Sequence, residues 1–323
     1  MSHIIGIDLG GTNIKGGIVD LKGKVVIKDS IPTESEHGPD HVISRLALMV
    51  NQLCSKASIE LDTILTIGVG TPGPLDDANG IVLSAPNMAG WTNVPLRDQL
   101  SELVDDRPVV VVNDANAAAY GEYWSGVARN ESIQNVILLT LGTGIGGGVV
   151  INGHIFKGAH GAGTELGHMV VEPLGRECGC GQRGCIETIA SATGIVRTTR
   201  ERMESDTQST LNKVMKKKGE ITCEDIFNAA AKGDTLANEI VDNACDYLGL
   251  ACVNLTRVFD PQMIIFGGGV TKAGKDLLER IQKSFEKRNW TVREPFVTLS
   301  VATLGNDAGF IGAAGMAKDE SDI

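Results

Sequence analysis

The sequence predicts an α/β protein, because strand-like apolar runs alternate with helical stretches and several strands end in glycine-rich segments. The clearest strand exits lie in residues 4–13, 136–148 and 264–270. Glycine is abundant, with 40 residues, whereas aromatic residues make up only 4% of the chain. This composition suits close approach of bare backbone to a ligand. At 323 residues the chain is long enough for two domains.

The N-terminal segment predicts a three-stranded antiparallel meander. Apolar runs at 4–9, 14–19 and 25–27 are separated by glycine-bearing turns, which is typical of hairpins. Small backbone-exposing residues in the first turn can bind a phosphate, and its carboxylate suits a hydrated Mg²⁺. The residues concerned are Asp8, Gly10, Gly11, Thr12 and Asn13. The alternative is a plain hairpin turn.

A helix is predicted over residues 39–56, and residues 64–76 predict a buried strand that enters a Gly/Pro loop. Loop 84–91 places the polar Asn87 among apolar residues.

A candidate functional carboxylate follows the next strand. Four valines predict a buried strand that ends at Asn113 and Asp114, where an alanine-rich helix begins. Open α/β sheets place ligands at strand ends of this kind. The alternative is that Asp114 only caps the helix. The two roles are compatible, since a helix N-terminus favours the ionised carboxylate.

A second glycine-rich hairpin is predicted at residues 136–156. Residues 142–147 match G-x-G-x-x-G, but a dinucleotide-binding fold requires a helix to begin there. A β-type segment with an Asn-Gly turn follows instead, so the Rossmann interpretation fails. The pair of hairpins suggests a duplicated phosphate clamp. The residues of its second half are Gly142, Thr143, Gly144, Gly146 and Gly147.

The remaining segments are mostly helical, apart from two strands. Residues 200–260 predict helices, and residues 260–281 predict a strand, a triple glycine and a helix. Gly267, Gly268 and Gly269 suit the approach of a base or ribose. No Walker A motif is present, because Asp276 stands where a Ser or Thr is required. Residues 297–317 predict a strand and a small-residue helix that packs on the N-terminal domain.

The densest chemistry lies in residues 165–187. His168, Cys178, Cys180 and Cys185 would form a complete tetrahedral zinc shell, and four filled positions make such a site structural. The alternative is a cluster of reduced surface thiols, because C-x-C-x4-C differs from the usual C-x2-C pairs. A third Cys and a nearby His disfavour a redox disulfide.

Two carboxylates flank this cluster and are not needed as ligands. We hypothesise that the loop fixes Glu165, His168 and Glu187 as hydrogen-bonding groups for a hydroxyl-rich substrate, since a zinc-bound His commonly uses its second ring nitrogen for an outer contact. The other cysteines are expected to be small core residues. They are Cys54, Cys223, Cys245 and Cys252.

Charge and cysteine usage exclude several classes of function. A net charge of −11 without a basic stripe argues against a nucleic-acid partner. We find no signal segment and no long apolar run, so we expect no membrane span. Seven cysteines without a secretory signal indicate a reducing compartment. We expect a cytoplasmic protein.

Eight segments occur in the order found in the ROK (repressor, ORF, kinase) family, which the chain resembles over essentially its whole length. They are DLGGTN (8–13), GTPGPLD (70–76), VNDANAAAYGE (112–122), LGTGIGGG (141–148), GAGTELGH (161–168), CGCGQRGCIE (178–187), IIFGGGV (264–270) and LGNDAGFIGAA (304–314). The Cys-rich segment is highly specific to that family, and the pattern is most similar to its bacterial ATP-dependent glucokinases.

The resemblance implies an actin-like ATPase (ribonuclease H-like) fold, in which two α/β domains flank a cleft that binds ATP and a sugar. We expect a small domain from residues 1–112 and 307–323, and a large domain with the zinc loop from residues 113–306. It also implies a homodimer. Because the first hairpin begins within ten residues, we expect none of the N-terminal DNA-binding domain that repressor members carry.

The implied reaction is phosphoryl transfer from Mg-ATP to the 6-hydroxyl of glucose, with Mg²⁺ as cofactor and a structural Zn²⁺. The resemblance implies Asp114 as the catalytic base, phosphate loops at 8–13 and 142–148, and Gly267–Gly269 beside the adenosine. The implied zinc ligands are those named above. The implied sugar contacts are Asn87, Asn113, Asp114, Glu165, His168 and Glu187. The alternatives are an N-acetylhexosamine, mannose or fructose kinase, and a sugar-sensing regulator without catalysis.

Overall fold

The computed structural model describes residues 2–85, 88–130, 132–289 and 297–321. Within these ranges the strands are β1 His3–Leu9, β2 Asn13–Asp20, β3 Val25–Pro32, β4 Ile64–Thr71, β5 Leu75–Asp76, β6 Ile81–Ser84, β7 Thr92–Val94, β8 Val109–Asn113, β9 Val136–Leu141, β10 Ile145–Ile151, β11 His154–Ile155, β12 Met263–Gly267 and β13 Thr298–Val301. The α-helices of the same ranges are α1 Pro39–Ala57, α2 Leu96–Leu103, α3 Asp114–Trp124, α4 Glu187–Ala190, α5 Ala192–Met203, α6 Leu211–Lys218, α7 Cys223–Ala231, α8 Thr235–Phe259, α9 Lys275–Arg288 and α10 Ala308–Glu320.

The chain divides into two compact units. Unit 1 comprises Met1–Gln134, Gly148–Thr164 and Ala302–Ile323, and unit 2 comprises Asn135–Gly147 and Glu165–Val301. This division places residues 113–134 with the N-terminal segment, whereas the predicted domain boundary assigns them to the large domain. The predicted boundaries, and the cleft between the domains, stay predictions.

Unit 1 is built on a five-stranded sheet of order β3-β2-β1-β4-β8. The predicted meander is confirmed, because β1 pairs antiparallel with β2 and β2 with β3, while β1, β4 and β8 run parallel. The predicted helix over residues 39–56 is α1. Its buried face contributes Leu46 and Val50 to the core that includes Ile5, Ile7 and Ile67 of the sheet. A small sheet of order β5-β6-β7 lies in the same unit.

α10 packs on this sheet through a close backbone approach. A Cβ added at Gly6 of β1 would lie 1.8 Å from the carbonyl oxygen of Phe310, and one at Gly68 of β4 would lie 2.0 Å from that of Ala313. Only glycine allows contacts this short, so both strands are shaped for this helix. Buried Phe310 then packs with Ile4 and Val19. The expectation that the small-residue helix of residues 297–317 packs on the N-terminal part of the protein is confirmed.

A second five-stranded sheet has the order β11-β10-β9-β12-β13. Its strand order repeats that of the first sheet. In both sheets three consecutive strands lie side by side, and two later strands lie beside the first of these three. β9, β12 and β13 are parallel. The repeat is consistent with the actin-like ATPase fold that the resemblance implies. The predicted helices of residues 200–260 are also confirmed. No helix among the described residues is long and apolar enough to span a membrane.

Candidate functional site

The carbonyl oxygens of the turn between β1 and β2 accept hydrogen bonds from other parts of unit 1. Gly10 N–H donates to the carbonyl oxygen of Asn13 at 3.1 Å, which closes the turn. The segment after β3 donates three further hydrogen bonds to the turn from behind. They run from Thr33 Oγ1 to Gly10 O (2.6 Å), from Thr33 N to Thr12 O (2.9 Å) and from Ser35 Oγ to Gly11 O (2.9 Å).

The same turn leaves donors available. Gly11 and Thr12 are exposed, and the described residues supply no hydrogen-bond partner for their N–H groups. Successive free N–H groups in a turn form an anion-binding concavity. Because the carbonyl oxygens that would repel an anion are engaged by donors behind the turn, its electrostatics favour a phosphate. The sequence predicted this turn, but not the roles of Thr33 and Ser35.

Asp8 lies on β1 just before this turn. Burial raises the pKa of its carboxyl group, and Lys15, its register partner on β2, lowers it in part. A Cβ added at Gly309 would lie 2.8 Å from Asp8 Cγ, so the start of α10 covers this carboxylate closely. A half-buried carboxylate beside a phosphate turn is a suitable anchor for a hydrated Mg²⁺.

Asp114 lies at the same edge of the sheet as Asp8. Asp8 is in register with Gly70 of β4, and Gly70 is in register with Val112 of β8. Asp8 and Val112 are therefore two strand spacings apart, each of about 4.8 Å. Asp114 follows Val112 by two residues. All three strands are parallel, and this edge holds their carboxyl ends. It is the edge at which open α/β sheets bind ligands.

Asn113, not Asp114, caps α3. Asn113 Oδ1 accepts hydrogen bonds from Ala115 N (3.0 Å) and Asn116 N (3.1 Å), and Asp114 is the first helical residue. The alternative that Asp114 only caps the helix is therefore wrong. Asp114 Oδ1 accepts from Ala115 N at 2.8 Å, and the helix N-terminus favours its ionised form. Since Asn113 Oδ1 is occupied, its amide group can serve a ligand as a donor.

The turn between β9 and β10 repeats the arrangement of the first turn. Gly142 N–H donates to Gly144 O at 2.9 Å, and α5 binds two carbonyl oxygens of the turn. Ala192 N donates to Gly142 O (2.9 Å) and Thr193 Oγ1 to Thr143 O (2.7 Å). Within the described chain, the N–H groups of Thr143 and Gly144 have no partner. Unit 2 thus contains a second anion-binding turn. The rejected Rossmann interpretation is confirmed as wrong, because β10 follows this turn.

A cavity of about 620 Å³ adjoins the second turn. Gly267 of β12 is in register with Thr140 of β9, so the triple glycine and the turn lie at one edge of the sheet. The cavity is lined by Gly142, Thr143, Gly269 and one face of α7 that carries Phe227. Its volume is in the range of small-ligand pockets, about 300–1,000 Å³. No sequence motif marked α7.

Cys223 of α7 also lines this cavity and is only partly buried, so the expectation of a core position is wrong for it. That expectation is confirmed for Cys54, Cys245 and Cys252, which are buried.

The four predicted zinc ligands come together in unit 2. One ligand atom from each of His168, Cys178, Cys180 and Cys185 lies within 4.8 Å of all the others. His168 Nδ1 is 3.6 Å from Cys178 Sγ, and Cys180 Sγ is 3.7 Å from Cys185 Sγ. A tetrahedral shell with Zn–S of about 2.3 Å and Zn–N of about 2.0 Å requires about 3.5 Å between S and N and about 3.8 Å between two sulfurs. The cluster therefore fits zinc.

Glu187 connects this cluster with the second turn. Its Oε2 accepts a hydrogen bond from Ile145 N at 2.8 Å, and its Oε1 lies 3.8 Å from Cys178 Sγ. The carboxylate of Glu187 thus satisfies a hairpin N–H, a contact that the sequence did not indicate. Glu165 is exposed and precedes the 3₁₀ turn Leu166–His168. Asn87 lies outside the described residues.

The geometry thus defines an α/β protein with two anion-binding glycine turns, a carboxylate at a helix N-terminus and a Cys₃His cluster. Comparison with known proteins agrees with the sequence motifs. The model of the ROK family matches residues 4–320. The chain belongs to the ROK family.

Named relatives cover almost the whole chain. The glucokinase of Halalkalibacterium halodurans is 39% identical over 98% of this chain and 96% of its own length. Among solved structures, the ROK hexokinase from Thermus thermophilus superimposes with a TM-score of 0.86 at 33% identity, covering 99% of both chains. A ROK family glucokinase from Streptomyces griseus in complex with glucose and AMPPNP has a TM-score of 0.79 at 33% identity, covering 98% of this chain and 100% of that one.

Proposed function

We propose that this protein is an ATP-dependent glucokinase that transfers the γ-phosphoryl group of Mg-ATP to the 6-hydroxyl of glucose. The observation that carries the proposal is the construction of the two glycine turns. Their carbonyl oxygens are engaged, whereas their tip N–H groups find no partner among the described residues. Such turns suit the phosphates of a nucleotide. The glucokinase relatives and the complex with glucose and AMPPNP support the choice of sugar and nucleotide.

Phosphoryl transfer depends mainly on positioning and on stabilisation of charge. The N–H groups of both turns offset charge on the phosphate oxygens, and the cavity beside Gly269 accommodates the adenosine. Asp8 would hold a hydrated Mg²⁺, and this ion would supply positive charge against the phosphates of the nucleotide. Asp8 is half-buried, lies opposite Lys15 in the strand register and is covered closely by the start of α10, which suits it to this contact.

Asp114 is the general base in this proposal. It accepts the proton of the attacking 6-hydroxyl, and the N-terminus of α3 keeps it ionised. Asn113 donates through its amide group, and Glu165 and Glu187 accept from sugar hydroxyls. His168 would bind zinc through Nδ1, which lies on the cluster side, and its Nε2 would then remain for a sugar hydroxyl. The zinc is structural because four protein ligands fill its shell. Asn87 completes the assigned sugar contacts, and the homodimer stays a prediction.

The test is release of ADP from Mg-ATP by the zinc-loaded protein, with glucose, N-acetylglucosamine, N-acetylmannosamine, mannose and fructose offered in parallel. We expect strong turnover with glucose and little with the acetamido sugars. A reversed preference would overturn the sugar assignment and leave the kinase. Glucose binding without sugar-dependent ADP release would overturn the kinase and favour the sensor.

Asp114→Asn tests the base separately. The amide keeps a side-chain oxygen that can accept from Ala115 N but cannot take a proton, so we expect glucose binding to persist and kcat to fall by about 10²–10⁴-fold. Asn116→Asp, two residues further along α3, returns a carboxylate at a neighbouring position and should not restore turnover in the Asp114→Asn protein. Turnover of Asp114→Asn within about threefold of wild type would contradict the role of general base.

A further inference from the structure

The second glycine turn is held by a short segment that begins at a metal ligand. Cys185 belongs to the Cys₃His cluster, and residues 185–193, here called the brace, lead from it to the turn. Three hydrogen bonds join the brace to the turn and to Ile145, the first residue of β10. They are Ile145 N to Glu187 Oε2 (2.8 Å), Ala192 N to Gly142 O (2.9 Å) and Thr193 Oγ1 to Thr143 O (2.7 Å).

Most of the brace is buried and internally bonded, whereas Thr193 at its end is exposed. Thr188 Oγ1 donates to Cys185 O at 2.8 Å, which fixes the start of α4 to the metal ligand. Ser191 is fully buried, accepts from Gly194 N at 3.0 Å as the cap of α5, and lies 3.1 Å from Thr193 Oγ1. A close-packed segment of this kind transmits a displacement of one end to the other.

The turn is in direct contact with the brace. A Cβ added at Gly144 would lie 2.3 Å from Glu187 Oε2, so the carboxylate fills the space beside that glycine. The brace therefore determines which carbonyl oxygens and N–H groups of the turn an anion would contact. It removes the carbonyl oxygens of Gly142 and Thr143 from the ligand side, and it supports the peptide that carries the N–H of Gly144.

We propose that the brace sets the geometry of the second glycine turn and makes nucleotide binding depend on the metal cluster, with Thr193 as a positioning residue. This inference rests on the proposed assignment of the turn to ATP phosphates. When zinc fixes Cys185, the brace holds the turn with its N–H groups presented. When zinc is removed, Cys185 loses its fixed position and the turn loses its support, so the affinity for the nucleotide falls.

Thr193→Val tests the brace with a substitution of similar shape. It removes only the hydroxyl that satisfies Thr143 O, and Thr193→Ser restores it. By calorimetry with Mg-ADP, we expect the Kd to rise about tenfold in the valine variant and to stay within about twofold of wild type in the serine variant. Glucose Kd and zinc content should not change. Thr199→Val, which removes a buried hydroxyl bonded to Ile195 O on the same helix, is the matched control and should bind Mg-ADP normally.

Zinc removal tests the dependence on the metal. A chelator is applied to wild type and to Thr193→Val, with circular dichroism to verify that both remain folded, and the Mg-ADP Kd is measured before and after. We expect the Kd of wild type to rise, zinc to restore it, and the rise to be smaller in the valine variant.

An unchanged Mg-ADP Kd in Thr193→Val, or in folded zinc-free wild type, would overturn the brace and leave the kinase assignment intact. Unfolding of the protein on zinc removal would overturn the specific coupling, because the metal would then support the whole unit. Absence of Mg-ADP binding by zinc-loaded wild type would overturn the nucleotide assignment and the inference together.

Discussion

The hydroxyl of Thr33 donates a 2.6 Å hydrogen bond to the carbonyl oxygen of Gly10, although 22 residues separate the two along the chain. Thr33 is fully buried, and its own N–H donates to Thr12 O. One residue therefore directs two peptide groups of the first turn. A turn can present N–H groups to an anion only if its carbonyl oxygens find donors elsewhere, and Thr33 is the principal source of these donors.

Thr33→Val should weaken nucleotide binding. The valine leaves Gly10 O without its donor, at a free-energy cost of about 1–3 kcal/mol, so we expect the KM for Mg-ATP to rise at least about fivefold while kcat stays near wild type. Steady-state kinetics at saturating glucose measure both constants. Thr33→Ser retains the hydroxyl and serves as the control. A valine variant with the KM of wild type would show that the turn does not need this donor.

Asp8→Asn should make the protein more stable and less active. Burial raises the pKa of Asp8, so the folded state binds this proton more tightly than the unfolded state does. The contribution of Asp8 to the free energy of unfolding is therefore present at low pH and is lost as the pH rises through the raised pKa.

Thermal unfolding without Mg²⁺ and nucleotide measures this effect for Asp8→Asn. We expect its Tm to equal that of wild type at low pH and to exceed it at neutral pH, while turnover with Mg-ATP falls sharply. A lower Tm for the asparagine variant at neutral pH would contradict a destabilising carboxylate. Unchanged turnover would remove Asp8 from the Mg²⁺ site.

Cys185→Ser should abolish stoichiometric zinc binding. Serine replaces a thiolate that zinc prefers, and the folding of unit 2 loses the free energy of metal binding. Metal analysis of purified protein should find one zinc per chain in wild type and less than half of that in the variant, with a lower Tm. Cys54→Ala, at a buried thiol of unit 1, should keep the zinc. Full zinc content in Cys185→Ser would contradict the ligand assignment.

Glu122→Gln should destabilise unit 1. The Glu122 carboxylate is fully buried and accepts hydrogen bonds from Val127 N (3.0 Å), Leu304 N (2.7 Å) and Thr303 Oγ1 (3.2 Å). An amide turns one acceptor into a donor that faces other donors, so we expect the free energy of unfolding to fall by about 1–3 kcal/mol in urea titrations. Exposed Glu102→Gln is the control. Equal midpoints for the two variants would contradict this role of Glu122.

The sequence was sufficient for most strands of the two larger sheets and for the chemistry that is local along the chain, but it did not predict the small sheet β5-β6-β7 or α2. Both glycine turns were predictable, because a strand-like apolar run lies on each side of the glycine-rich segment. The Cys₃His cluster was predictable because Cys178, Cys180 and Cys185 lie within eight residues. The sequence did not decide which residue caps α3, since Asn113 and Asp114 are both good capping residues and only the backbone geometry distinguishes them.

The sequence could not show contacts between segments that are distant along the chain. Glu187 and Ile145 are 42 residues apart, and Thr193 and Thr143 are 50 residues apart. Threonine is common on helices and after strands, so nothing about its spacing marks it as a donor to a turn. The α7 face of the cavity was missed for the same reason, because its role depends on the sheet edge against which it lies.

The glycine-mediated packing of α10 on β1 and β4 has a consequence for biosynthesis. The first sheet is complete once residue 113 has left the ribosome, but the face that receives α10 remains uncovered until about 200 further residues have been translated. At about 5–20 residues per second, the nascent chain exposes Ile4, Val19 and the groove at Gly6 for roughly 10–40 s. During that interval the uncovered face is a natural site for a chaperone, and truncated translation products should be prone to aggregate through it.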